Sequence, residues 1–150
     1  MAVLYRICGR AWLPQDPTGA ARSTEGRWHV MGQRVLYLSS SLALCVLELR
    51  ANAISFATIR ERFHFSSVEV PPDHTETLHS SFYPHDWSAD KAASQTMGRR
   101  WYQRQASLGL MVRSAVLPLE LNCIVNTTHQ DFGKLHFSRP HAIPLDPRVG

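Results

Sequence analysis

The sequence predicts an α+β fold on three observations. Short alternating or β-branched stretches recur along the chain, at Leu4–Cys8, Arg34–Leu38 and His64–Val70 among others. Two stretches read as helices, Leu42–Arg50 and a segment from Ser88 or Asp90 to about Ser107. The two kinds of element do not alternate as regular βαβ units. The chain has 150 residues, 44% hydrophobic and 19% charged, which suits one domain over residues 1–150 with a real core and one pocket.

Each element has a local reason. Leu4–Cys8 is a short first strand. Pro14–Gly26 collects Pro, Asp, Gly, Ser and Thr and reads as an exposed loop. Arg34–Leu38 is β-branched or aromatic at its centre and reads as a strand. Ser39, Ser40 and Ser41 then supply an N-cap, and Leu42–Arg50 is apolar almost all round, as in a short buried helix. Ile54–Ile59 and His64–Val70 read as two strands, the second ended by Pro71 and Pro72. Residues 72–88 are polar and rich in His, and read as a loop. The second helix carries an apolar stripe at Ala93, Met97, Trp101 and Leu108, with Gly109 at its C-cap. Leu110–Leu117 and Asn122–Asn126 are two more strands, split by Pro118, and Leu135–Phe137 is a last one.

Composition excludes several classes. The longest apolar run, Leu42–Leu47, has six residues, whereas a membrane span needs about 20. The N-terminus, with Arg6 and Arg10 in its first apolar stretch, shows no secretory signal. Cys8, Cys45 and Cys123 are an odd number with wide spacing. They read as buried thiols in a reducing, cytoplasmic setting. Net charge is +4, and only Lys91 and Lys134 among the basic residues are lysine. The arginines are scattered, densest at Arg99, Arg100 and Arg104, and no helix-turn-helix or zinc-finger pattern supports direct nucleic-acid binding. Arginine also suits phosphate oxygens at a small-molecule site. His74, His79 and His85 share a loop without metal-type spacing, so no metal site is expected.

Four positions invite a functional reading. Glu48 is the only charged residue between Arg34 and Arg50. A carboxylate there pairs with an arginine such as Arg50, emerges at the helix end, or faces a pocket as a catalytic group. Arg27 lies between Gly26 and Trp28, where it is either a loop arginine stacked on its neighbour or an anion-binding group. Tyr37 is a mid-strand aromatic whose hydroxyl needs a partner. Ser114 is an isolated hydroxyl among Val112, Ala115 and Val116.

These positions fall inside three ordered blocks. The run Gly19-Ala20-Ala21-Arg22-Ser23-Thr24-Glu25-Gly26-Arg27-Trp28-His29, with Gly32 after it, resembles the opening motif of RES-domain proteins. Val35-Leu36-Tyr37-Leu38, followed by Ser41-Leu42-Ala43-Leu44 and Glu48, resembles that family's second block. Val112 to Asn126, with His129 and Phe132 after it, resembles its third. The family is named for an Arg, a Glu and a Ser, which fall here on Arg27, Glu48 and Ser114. Four residues depart from the pattern. Glu25 stands for a glycine, His29 for an asparagine, and Arg113 and Thr127 for prolines.

The resemblance implies a fold similar to ADP-ribosyltransferase toxins, with two packed, mostly antiparallel sheets and flanking helices around an NAD cleft. It implies the toxin of a bacterial Xre–RES type II toxin–antitoxin pair that breaks the nicotinamide–ribose bond of NAD by phosphorolysis or hydrolysis. NAD is then the substrate and inorganic phosphate a candidate co-substrate, with no cofactor. Arg27, Glu48, Tyr37 and Ser114 would be catalytic, and Arg27, Trp28, Tyr37, Ser114 and Asn126 would bind substrate. Arg27 would grip phosphate, Tyr37 would face the nicotinamide or ribose, and Ser114 would donate near the nicotinamide end. The implied partner is a DNA-binding antitoxin, so DNA would be met only through the complex, and self-association is common in the family. Two alternatives stand beside this reading. One is a toxin that transfers ADP-ribose to a protein. The other is an inactive RES-like component that binds antitoxin and serves in repression.

Overall fold

The computed structural model describes residues 2–16 and 25–150. The expected Pro14–Gly26 loop and the first six residues of the opening motif therefore fall mostly outside the described residues. Strand β1 is Ala2–Gly9, β2 Val35–Ser39 and β3 Phe63–Val70. Strands β4 (Thr75–Thr77), β5 (Gly109–Arg113) and β6 (Leu121–Asn126) follow, then two short ones, β7 (His136–Phe137) and β8 (His141–Ala142). Helix α1 is Leu42–Ala51, α2 is Phe56–Arg62 and α3 is Lys91–Arg104.

The strands form one eight-stranded sheet in the order β4-β5-β6-β2-β1-β3-β7, with β8 also on β3. Two packed sheets were expected; the strands instead join in one sheet, whose link between β1 and β2 is narrow. Strand β1 pairs with β3 along its whole length, from Ala2↔Val70 to Gly9↔Phe63. It meets β2 at Tyr5↔Ser39. Pairing is antiparallel throughout, except for β4 beside β5.

Strand side chains alternate between faces, and β2 is buried on both. Leu36 and Leu38 pack with Leu4, Val68 and Val125 on one side. On the other side Val35 and Ile124 pack with Trp28, Trp87 and Trp101, beneath α3. Tyr37 and Ser39 continue that second face, and their register partners Ile124 and Asn122 lie on it too. Helices α1 and α2 cover a third cluster around Ile7, Cys45 and Ile59.

Four local readings need correction. The loop expected over residues 72–88 contains strand β4, whose backbone pairs with β5 from Thr75↔Gly109 to Thr77↔Met111. The strand expected at Ile54–Ile59 is helix α2. Ser55 caps it, its hydroxyl accepting from Thr58 N at 3.1 Å, and Ile59 is fully buried. A local cap and one buried contact outweigh the β-branched composition. Helix α3 is capped by Asp90, which accepts from Ala93 N at 3.1 Å. It ends at Gln105, which takes the left-handed conformation at φ 55°. Gly109 is therefore not its C-cap but the first residue of β5, where a Cβ would lie 2.9 Å from Cys123 Sγ. The strand expected to reach Leu117 stops at Arg113, because the Ser114 hydroxyl accepts from Val116 N and Leu117 N and turns the chain. No described helix is long and apolar enough to cross a membrane.

Candidate active site

Ser41 fixes the start of α1, accepting from Leu44 N at 3.1 Å. Three- and four-residue steps then put Leu44, Cys45 and Glu48 on the face turned to the sheet. Glu48 Oε1 accepts from the Ser114 hydroxyl at 2.6 Å and from Asn122 Nδ2 at 2.7 Å. Asn122 Oδ1 in turn accepts from the Ser39 hydroxyl at 2.7 Å. No arginine, lysine or histidine among the described residues lies within ion-pair distance of Glu48. The carboxylate is thus satisfied by neutral donors, and its charge is not cancelled.

Ser114 is completely buried. Its oxygen accepts two backbone N–H groups and its single proton goes to Glu48. That hydroxyl orients the carboxylate and has no second proton for a nicotinamide group. Beside it, burial pushes the Cys45 thiol up to about 11 against the Ser39 hydrogen bond, so Cys45 is a neutral neighbour.

Arg27 and Tyr37 form a second group on the same face of the sheet. Tyr37 sits two residues before Ser39 in β2, about 7 Å along the strand. Its hydroxyl accepts from Trp28 N at 3.2 Å and shares a 2.7 Å hydrogen bond with His29 Nδ1. Burial raises the Tyr37 hydroxyl well above its usual value, and the Trp28 amide and the Arg27 cation offset this only in part. Tyr37 therefore stays a neutral phenol. A Cβ on Gly26 would lie 2.7 Å from the Tyr37 hydroxyl and from the His29 ring, so the glycine serves this internal contact. Arg27 Nη1 donates to Ser88 O at 2.9 Å.

Helix α3 clamps the Arg27 backbone. The Ser94 hydroxyl donates to Arg27 O, and Gln95 Nε2 donates to Gly26 O at 2.9 Å. Gly98 lies so close that a Cβ there would fall 1.8 Å from Trp28 O. The buried residues of α3 are Ser94, Gly98 and Trp101; Trp101 and Met97 of the expected stripe pack on the core, and Ser94 and Gly98 extend that face towards the Arg27 segment. The sequence reading missed Ser94, Gln95 and Gly98. Their signal is two small residues four apart, which lets a helix approach another backbone.

The structure thus joins Glu48 to Ser114, and Arg27 to Tyr37, on neighbouring parts of one face. Of the two other candidate residues, Trp28 gives its backbone N–H to Tyr37 but turns its ring into the core, and Asn126 lies apart. Trp28 is 3% exposed and packs on Trp87 and Tyr83, with ring centroids 5.8 and 6.2 Å away. Asn126, at the far end of β6, holds the following turn by accepting from Thr128 N and its hydroxyl at 2.9 and 2.6 Å. An apolar groove of about 390 Å³ lies between α1, Phe56 and residues 143–145, lined by Val46 and Leu47 but by none of the candidate catalytic residues.

Residues 3–146 match the RES domain family. The chain belongs to the RES family. Among its relatives is the Toxin Res of Yersinia enterocolitica, 33% identical over 151 residues, covering 98% of this chain and 99% of that one. Another Toxin Res, from Photorhabdus laumondii, is 31% identical over 88% of this chain and 86% of its own. The Prs ADP-ribosylating toxin of a Sphingobium species is 30% identical over 93% of this chain and 90% of its own. The crystal structure of the M. tuberculosis MbcT–MbcA toxin–antitoxin complex contains a chain of similar fold. Its TM-score is 0.73 at 18% identity, with 94% of this chain and 83% of that chain covered. This RES protein is accordingly of the toxin type found in toxin–antitoxin systems.

The departures from the RES pattern have local explanations. Glu25 is drawn off towards Lys91, whose Nζ lies 3.3 Å from its Oε1. His29 takes up the Tyr37 hydroxyl. The Arg113 guanidinium lies over the Tyr83 ring, 4.3 Å from its centroid. Thr127 donates its backbone N–H to Arg34 O at 3.0 Å, a bond proline could not make.

Proposed function

We propose that this RES toxin consumes NAD by breaking its nicotinamide–ribose bond. The observation that supports this most is Glu48, a carboxylate in an apolar helix whose partners are two neutral donors. A group of that kind keeps its negative charge available for a substrate that becomes positive. Cleaving an N-glycosidic bond makes the ribose oxocarbenium-like, as in glycoside hydrolysis. When the bond from C1′ to the nicotinamide nitrogen breaks, its electron pair leaves with the ring and neutralises the pyridinium. No general acid is required. An oxygen of water or of inorganic phosphate then bonds to C1′, with water releasing its proton.

In this reading Glu48 stabilises the ribose cation and holds its hydroxyls. Arg27 uses one donor on Ser88 O and offers the remaining guanidinium N–H groups to phosphate oxygens. Tyr37 contributes an uncharged aromatic surface beside Arg27. Ser114 orients Glu48 and does not contact the nicotinamide.

The acceptor has a second reading. The Sphingobium relative is named for ADP-ribosylating Prs, which favours transfer to a protein side chain as the alternative to water or phosphate. The MbcT–MbcA complex pairs a toxin of similar fold with an antitoxin, which favours an antitoxin partner here too; in this reading DNA is met only through that partner. The test is purified chain, free of antitoxin, incubated with NAD with and without phosphate, followed by mass spectrometry. Nicotinamide with phosphorylated ADP-ribose identifies phosphorolysis. Free ADP-ribose identifies hydrolysis, and an ADP-ribosyl adduct identifies transfer. Intact NAD from folded chain overturns the proposal in favour of an inactive antitoxin-binding component.

A further inference from the structure

We propose that Asn122, held by Ser39, is the positioning residue that decides which oxygen of Glu48 meets the substrate. This rests on the NAD reading above and extends it to two residues outside the Arg, Tyr, Glu and Ser set. Both hydrogen bonds that Glu48 accepts fall on Oε1. Oε2 accepts none among the described residues, and Glu48 is only partly buried. The carboxylate is therefore asymmetric, with one oxygen tied to the protein and one left for a ligand.

Ser114 alone would not fix that asymmetry. A single hydrogen bond leaves a carboxylate free to swing about it. A second donor from a different strand, on the same oxygen, sets the plane of the group. Asn122 supplies it from β6, while Ser114 follows β5. An asparagine amide can present either its oxygen or its NH₂. The carboxylate removes that choice: it only accepts, so Nδ2 is the end that faces Glu48. Oδ1 is then left to the Ser39 hydroxyl, which donates to it at 2.7 Å and holds the amide in place. The Ser39↔Asn122 register pair puts the two side chains on one face without further adjustment. Asn122 touches no substrate in this account. It acts through Glu48.

The test uses Asn122→Ala, Asn122→Asp and Ser39→Ala in the full chain, with nicotinamide release as the rate. Displacing a reacting group by about 1 Å costs about a hundredfold. Asn122→Ala is expected to lower kcat about ten- to a hundredfold while KM for NAD stays within about threefold. Asn122→Asp keeps the shape but sets an oxygen against Oε1, and is expected to lower kcat further. Ser39→Ala is expected to fall between wild type and Asn122→Ala. In a Ser114→Ala background, the Asn122→Ala effect is expected to differ from its effect in wild type, because both act on one oxygen.

Wild-type kcat in folded Asn122→Ala and Asn122→Asp would overturn the proposal, as would a rise in KM with kcat unchanged. A second readout needs neither turnover nor a folded Asn122 variant. The side-chain amide signals of Asn122 in ¹⁵N spectra are expected to move on Glu48→Ala and on Ser39→Ala, and unmoved signals would overturn the contact. A wild-type chain that leaves NAD intact counts against the NAD reading, while these amide signals still decide the Ser39–Asn122–Glu48 arrangement.

Discussion

Gly98→Ala sets two effects of opposite sign against each other. Alanine in a helix interior is favoured over glycine by about 1 kcal/mol, so propensity alone predicts a more stable protein. The structure predicts the reverse. The new Cβ would stand 1.8 Å from Trp28 O and 2.8 Å from Trp28 C, both backbone atoms that cannot rotate aside. Helix and loop must part by more than an ångström. Such overpacking costs about 1–3 kcal/mol. The bonds from Ser94 to Arg27 O and from Gln95 to Gly26 O are strained by the same movement, each worth about 0.5–1.5 kcal/mol. The net expectation is a loss of about 2–4 kcal/mol, or roughly 5–15 °C in Tm for a chain of this size. Thermal unfolding followed by circular dichroism measures it. Nicotinamide release should fall as well, because the displaced segment carries Arg27. A Tm at or above wild type would refute the claim that α3 positions Arg27 by backbone contact.

Three further predictions follow from the same contacts. Tyr37→Phe leaves the Trp28 N–H without its partner and should cost about 1–3 kcal/mol in urea unfolding; an unchanged midpoint would show that the hydroxyl does not hold the loop. Burial raises the Glu76 carboxyl, but hydrogen bonds from Arg104 and Ser107 and the Arg104 charge overcome this and hold it below its usual 4.5. A depressed carboxyl stabilises the fold above its unfolded value and loses that contribution as pH falls through its folded value. The Tm difference between wild type and Glu76→Gln should therefore be present at neutral pH and close at pH below 4.5; a gap that persists in acid would contradict it. Burial also pushes the thiols of Cys45 and Cys123 up to about 11 and about 12. Iodoacetamide at pH about 8 should label them only after unfolding, since the thiolate is the reactive form, and prompt labelling of folded protein would argue against their burial.

The parts of the fold that were legible in the sequence are those whose signal is local. Alternation marked β2, short apolar runs marked β1, β3 and β6, and the serine run marked the start of α1. The errors arose where composition and local chemistry disagreed. Ile54 and Ile59 suggested a strand, but the Ser55 cap made a helix. Gly109 suggested a cap, but Gln105 turned the chain first. Sheet order was not legible, because β2 is flanked by β6 and β1, neither its neighbour in sequence on the C-terminal side. Nor were the partners of Glu48. A lone charge in an apolar helix announced that some compensation must exist, but Ser114 and Asn122 lie 66 and 74 residues away. Ser114 stood out as an isolated hydroxyl on an apolar strand and fell on the family's Ser, but neither signal tied it to Glu48. Asn122 and Ser39 show their part only once β2 and β6 are paired.

The central claim is that Glu48 carries the chemistry of NAD cleavage. Its most direct test compares wild type with Glu48→Gln, which keeps the side chain's shape and an oxygen for Ser114 and Asn122 while removing the charge. Nicotinamide release and NAD binding are measured on the same folded samples. The account predicts that NAD still binds and that release falls by a factor of about 10²–10³ or more. Release at the wild-type rate from folded Glu48→Gln would contradict it.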